Sequence, residues 1–399
     1  MILRRRVVAS TIVAVALAAT ACFPETTPVP TTGTVSVWGY NGFGNLGIGN
    51  RVDQALPTTF AAPPGARFTA VSAGGFHTLA LATDGTVYAA GRDDDGQLGN
   101  DAAFDYQVSP VMVAAPPGVH FTSVAAGGYH SLAIGSDGNT YAWGLDEHGQ
   151  LGDDAALVHQ SLPVRVATPA GVRFVAVSAG FAHSLAIGDD GGLYSWGYNG
   201  FGELGNGISG RDQAVPGLAA LPVRVTAISA GGHHNLAIAS DGVTYSWGWD
   251  GYGQLGDDAA QADHLLPVAV AAPAGVQFTR IAAGAHHSVA IGNDGDTYAW
   301  GDDTHGQVGD DAALSDRALP TKVALPLGVQ LSGIAAGGDH TVAVGRNGLV
   351  YAWGLDGGGQ VGNDAATVDQ PTAAVAATAS GRTPIAVSAG YYHSVAILG

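Results

Sequence analysis

The chain has 399 residues, of which 46% are apolar, 12% are charged and 61 residues are glycine. That composition suits a packed protein of many small units joined by glycine turns and excludes a disordered one. Net charge is −18 and Lys322 is the only lysine. This argues against nucleic-acid binding, because affinity for a phosphate backbone is largely counterion release by Lys and Arg, and equally against attachment to anionic headgroups.

Residues 1–21 read as an export signal. Arg4, Arg5 and Arg6 form the basic region and residues 7–19 an apolar run, shorter than the ~20 residues that span a bilayer. Without those three arginines the rest of the chain has 12 basic and 33 acidic residues, a net of −21. Ala19-Thr20-Ala21-Cys22 places small residues at a cleavage site and a cysteine where a bacterial lipobox has one, although Ala19 stands where a lipobox usually carries Leu. Cys22 is the only cysteine, and lipidation gives that thiol a purpose. The expectation is a lipid anchor on the outer side of the cytoplasmic membrane or in the cell envelope, with free secretion as the alternative. The paired arginines also fit the twin-arginine route. Residues 22–33 are a Pro/Thr-rich tether without a core.

Self-similarity governs residues 34–399. The phrase A-G-x-x-H-S-L-A-I recurs with its histidine at His77, His130, His183, His234, His287, His340 and His393, at spacings of 53, 53, 51, 53, 53 and 53. A second phrase, Tyr-x-Trp-Gly in full form, puts tryptophan at Trp38, Trp143, Trp196, Trp247, Trp300 and Trp353, with Ala90 in the remaining copy. Within a copy, residues 130–144 (HSLAIGSDGNTYAWG) are two apolar runs around Asp137-Gly138, a hairpin signal because the turn needs positive φ. Two further short strands precede each hairpin, as at residues 162–166 and 174–178. Four strands in ~50 residues without helical period describe a propeller blade. The short copy lacks the Pro169-Ala170-Gly171 bulge.

The two ends complement each other. Residues 34–39 are a Trp-Gly strand without its partner, and residues 393–399 a His-Ser strand without its partner. Pairing them removes two bare sheet edges. The expected fold is all-β: a closed seven-bladed propeller of four-stranded blades, about 53 residues each, its last blade closed by the N-terminal strand.

These phrases resemble the regulator-of-chromosome-condensation repeat family, whose blades carry A-G-x-x-H-S and W-G-x-[ND]-x-x-G-Q-L-G. Here the second motif reads WGLDEHGQLG at residues 143–152 and WGWDGYGQLG at residues 247–256. The resemblance spans residues 34–399 and implies a seven-bladed propeller. The nucleotide exchange and chromatin binding of the family's nuclear founder need an address and a basic surface that this chain lacks.

The seven histidines lie in separate blades and cannot converge within the ~2 Å of a shared metal; hydrogen bonding between strands is their expected role, and blade packing that of the tryptophans. Asp153-Asp154, Asp257-Asp258 and Asp310-Asp311 follow Leu-Gly or Val-Gly, with Asp101 and Asp364 in the second position elsewhere. Such oxygen-rich loops can hold Ca²⁺, while capping of turns is the commoner role of Asp there. No other cofactor is implied, and no catalytic motif occurs. Function is expected where the copies differ. The second and fifth residues after each tryptophan position are Tyr40 and Phe43, Tyr198 and Phe201, Trp249 and Tyr252 in three copies, and all these loops share one face. Tyr198, Phe201, Trp249 and Tyr252, assisted by Asp250 and the acid pair Asp257 and Asp258, and joined by Tyr40 and Phe43 of a third loop, either anchor a partner or merely cover loop backbone. The function expected is a monomeric, non-enzymatic scaffold that recognises an extracellular or envelope protein through this face. The alternative is a carbohydrate-binding or enzymatic propeller using the same face.

Overall fold

The computed structural model describes residues 32–101, 105–155, 157–257, 261–310, 314–364, 368–378 and 381–399. The export signal, Cys22 and residues 22–31 of the tether lie outside the described residues, as do Asp258 and Asp311. Among the described residues there are twenty-eight strands and no helix, from β1 (Thr34–Gly39) to β28 (His393–Leu398). They form seven antiparallel four-stranded sheets, the closed seven-bladed propeller expected from the repeat.

Blade 1 shows the plan, with β3 (Phe68–Ala73), β4 (His77–Ala82), β5 (Val87–Gly91) and β6 (Gln107–Met112) in that order from the centre outwards. Small residues on the innermost strands line a central channel of about 1040 Å³. The second strand of every blade is buried along its whole length, whereas the outermost is partly exposed. Neighbouring sheets cover both faces of the second and third strands, so these strands read as continuous apolar runs rather than alternating ones. At their turn, Gly85 takes φ +82 and the Asp84 carboxylate accepts the Thr86 N–H at 2.9 Å, which is why Asp-Gly recurs there.

The sequence repeat and the structural blade are offset by one strand. Of the two short strands ahead of the hairpin in blade 3, β10 (Gln160–Arg165) closes the outside of blade 2 by pairing with β9 (Thr140–Gly144). The other, β11 (Phe174–Ala179), opens blade 3 at the channel. Residues 166–173 between them carry the chain from rim to centre. The equivalent crossing at residues 219–224 is shorter, and accounts for the 51-residue spacing.

Blade 7 is assembled from both ends, in the order β2 (Gln54–Thr59), β1, β28, β27 (Pro384–Ala389). β1 and β28 pair continuously from Thr34↔Leu398 to Gly39↔His393. The N-terminal segment therefore contributes two strands to the clasp.

The core lies between blades. Trp143 packs with Leu79, Val87 and Leu98 of blade 1. Where Ala90 replaces tryptophan, Phe60 of blade 7 occupies the position that Val113 holds in the next copy, and Phe60, Phe68 and Ala90 share one cluster. Phenyl volume from the neighbouring blade replaces the missing indole, so the interface stays filled.

Deleting residues 34–39 strips β28 of its ladder with β1, leaving only the one with β27, and exposes a bare edge in blade 7. We expect aggregation or a fall in Tm of many degrees in a thermal melt; an unchanged Tm would contradict the two-ended clasp.

Candidate functional site: the loop face

The face carrying the Trp-Gly loops rests on two closed rings of interactions. The first is backbone. In each blade the N–H after the phrase's Ala-Gly donates to the corresponding glycine carbonyl of the next blade, from Gly75 to Gly127 at 2.9 Å round to Tyr391 to Gly74 at 3.2 Å. A Cβ on Gly74 would lie 2.5 Å from the Gly127 carbonyl oxygen and 2.6 Å from the His77 ring, so only glycine fits.

The second ring is built from side chains. The Ser131 hydroxyl donates to the Gln97 carbonyl at 2.9 Å, and the Trp143 indole N–H donates to the same oxygen at 2.8 Å. With its proton committed, that hydroxyl accepts from His77 Nε2–H of the preceding blade at 2.9 Å. The pattern recurs at His130–Ser184, His234–Ser288, His287–Thr341 and His340–Ser394. It closes at His393–Thr78, 2.8 Å. At His183 the acceptor is Asn235 Oδ1, 2.7 Å away, which requires the same Nε2–H tautomer. Burial holds His77, His130, His340 and His393 down at about 3 and His287 at about 4, and lowers His183 and His234 as well. All seven repeat histidines are therefore neutral structural groups.

Each loop is braced from within. Asp250 is buried, and its Oδ1 accepts the Leu255 N–H at 2.8 Å; Asp146 does the same for Leu151 and Asn199 for Leu204. Burial raises the Asp250 carboxyl to about 6. This corrects the partner-binding role expected of Asp250, which is internal and committed to its own loop. The oxygen-rich positions are also engaged locally. Asp153 accepts the Ala155 N–H, Asp154 adopts φ +59, Asp257 faces His264 at 2.8 Å and Asp310 pairs with Arg317 at 2.6 Å. Asp101 and Asp364 share the left-handed conformation of Asp154. Among the described residues none of these six belongs to a three-ligand metal cluster.

The aromatic positions do come together. Tyr198 and Phe201 of blade 3 meet Trp249 and Tyr252 of blade 4 through a Phe201–Trp249 contact of 6.0 Å. Tyr40 and Phe43 sit on blade 7 and join them through rings absent from the Trp-Gly loops: Phe43–Phe76 at 4.9 Å, Phe76–Tyr129 at 5.7 Å, Tyr129–Phe181 at 5.2 Å and Phe181–His233 at 5.8 Å. Phe181 of blade 3 also reaches Tyr391 of blade 7 at 5.6 Å, across the channel mouth. The result is one half-buried belt, with Arg92 over the Phe43 and Tyr129 rings.

The added rings occupy the two variable positions of A-G-x-x-H. Comparing those positions among copies would have exposed them, because the glycine and histidine around them repeat while they do not. Sequence reading also missed Glu203, which replaces the usual glutamine. It is buried, accepts the Phe201 N–H at 2.9 Å, and faces His233 Nδ1 at 3.0 Å. Further histidines on this face meet carboxylates, His148–Asp212 and His305–Asp369 at 2.7 Å each.

A family profile described as the RCC1-like domain matches residues 34–396. The chain belongs to the RCC1-like domain family. This RCC1-like propeller is 33% identical over 334 residues to the ultraviolet-B receptor UVR8 of Arabidopsis thaliana, covering 82% of this chain and 74% of that one. It is 32% identical over 323 residues to the E3 ubiquitin-protein ligase HERC2 of Homo sapiens, covering 79% of this chain but only 6% of HERC2. The crystal structure of Prp20p from Saccharomyces cerevisiae matches it with a TM-score of 0.82 at 28% identity over 92% of both chains.

A histidine whose folded pKa lies below its unfolded value contributes fully above about pH 6.5, and that contribution is lost as pH falls toward 3. His340→Gln removes one such group. The variant should be less stable than wild type by about 1–3 kcal/mol at pH 8, and the gap should narrow at pH 5. Urea titrations at both pH values check this; a gap independent of pH would contradict a buried neutral His340.

Proposed function

We propose that this RCC1-like propeller is an exported binding scaffold that recognises an envelope or extracellular protein through its loop face. One observation carries the reading: the residues that repeat in every blade are consumed by the two structural rings, while the residues that vary assemble the aromatic belt. Half-buried aromatic rings lose little conformational freedom on binding and supply much of the contact energy at protein interfaces. Carboxylates such as Asp94, Glu147 and Asp212 flank the belt, which favours a partner with basic groups around an apolar centre. Prp20p is described with its binding to Gsp1p and histones, a precedent for protein recognition on this fold. HERC2's ligase activity does not extend to a chain that spans 6% of it. The scaffold is held at the membrane through a lipid on Cys22.

Immobilised protein challenged with the producing cell's envelope fraction tests the face. Trp249→Ala should weaken partner capture about 30-fold or more, the effect of losing a ~2 kcal/mol anchor, with little change in Tm. Leu145→Ala on blade 2 should do little. Capture that survives Trp249→Ala and Tyr252→Ala together would place the site elsewhere, and loss of glycan rather than protein binding would favour the carbohydrate reading. Cys22→Ser should abolish palmitate labelling and release the protein into the medium; unchanged membrane fractionation would contradict the anchor.

A further inference from the structure

We propose that His286, Asp302 and Asp339 form a divalent transition-metal site on the loop face, suited to Zn²⁺. One ligand atom from each lies within 4.8 Å of the others. The His286 Nδ1 to Asp339 Oδ1 separation is 3.8 Å, too long for a hydrogen bond. The pair sits at ion-pair distance, and two ligands bound at ~2 Å to one tetrahedral ion stand about 3–4 Å apart, so the same separation suits neighbours on a shared cation. It differs from the 2.7 Å His305–Asp369 contact on the same face, which is a direct hydrogen bond.

None of the three residues is required by the repeat. His286 and Asp339 stand at the position before the repeated histidine, which Phe76, Tyr129 and Tyr392 hold in other blades. Asp302 stands where other loops carry Tyr40, Tyr198 or Trp249. Three positions that vary among the copies thus carry ligand types on two adjoining blades, 5 and 6.

The surroundings hold these groups in place. The His286 ring is packed edge-on by Trp249 at 5.3 Å and tilted against Tyr252 at 5.4 Å. Asp302 is only 6% exposed, and its Oδ1 accepts both the N–H and the hydroxyl of Thr304. Such outer contacts orient first-row metal ligands.

One imidazole and two carboxylates fit Zn²⁺ or Mn²⁺ better than Ca²⁺, which takes oxygen ligands. Among these, the Irving–Williams order favours Zn²⁺. Three protein ligands leave a fourth position for water or a donor atom of a bound molecule. The site is therefore distinct from the aspartate pairs that the sequence offers for calcium.

The test uses the purified, chelator-treated chain, with no partner present, so it is independent of the proposed function. Co²⁺ should develop a visible d–d band that saturates at a single ion per chain and is displaced by Zn²⁺. In a ¹⁵N histidine spectrum, Zn²⁺ should shift His286 Nδ1 and leave the seven repeat histidines unmoved. Affinity should fall about tenfold or more in His286→Asn and Asp339→Asn, and stay at the wild-type value in His305→Asn, with metal-free melting curves alike. Equal binding by His286→Asn, a Zn²⁺ shift at other histidines only, or no Co²⁺ band would each overturn the assignment. The spectrum of the wild type decides the matter even if a variant fails to fold.

Discussion

Everything on the loop face depends on one carbonyl oxygen per blade. In the loop after Ala90 it is that of Gln97, which accepts the Ser131 hydroxyl and the Trp143 indole, while Ser131 accepts from His77. Four residues of two neighbouring blades are thereby locked in a single arrangement. A hydrogen bond adds only ~0.5–1.5 kcal/mol net, but a buried donor left without its partner costs ~1–3 kcal/mol. The relay therefore acts mainly by penalising any displacement of one blade against the next. Because it closes through His393 and Thr78, no blade is terminal, and the last interface keeps the histidine relay although Ala90 leaves it without an indole donor. The relay requires a neutral imidazole, which burial enforces.

Rigid repetition also frees other positions. With the backbone fixed by the glycine ring and the relay, the residues just before the repeated histidine and those two and five places after the tryptophan position carry no fold-wide duty. They hold Phe76 and Tyr129 on blades 1 and 2, His286 and Asp339 on blades 5 and 6, and Trp249 and Tyr252 on blade 4. A binding scaffold needs this division between a frame that cannot move and a surface that can vary. Phe181 and Tyr391, meeting over the channel mouth, make that surface continuous where a wider opening would divide it.

The repeat made the fold legible. Seven His phrases and the unpaired strands at both ends are enough to require a closed ring, because no other arrangement satisfies both edges. Strand membership was harder: β10 and β11 are adjacent in sequence, yet belong to different sheets, and only the register of β9 with β10 shows it. At the site, the pairing of Phe201 with Trp249 follows from neighbouring loops. Asp250 was misread because its acidic side chain looks available in sequence, whereas its geometry turns it back onto Leu255. The His286–Asp302–Asp339 group could not be read at all, since residues 286, 302 and 339 meet only when blade 6 is laid against blade 5. The Ala90–Phe60 exchange was hidden for the same reason.

The seven repeat histidines form a closed relay of Nε2–H donors. A ¹⁵N–¹H spectrum of the histidine side chains at pH 5 tests it most directly. His77, His130, His287, His340 and His393, which burial holds down at about 3 to 4, should remain neutral and protonated at Nε2, with ring protons protected from solvent exchange, at a pH where free imidazole is mostly charged. Charged rings, or a mixture of Nδ1–H and Nε2–H forms at these residues, would contradict the relay.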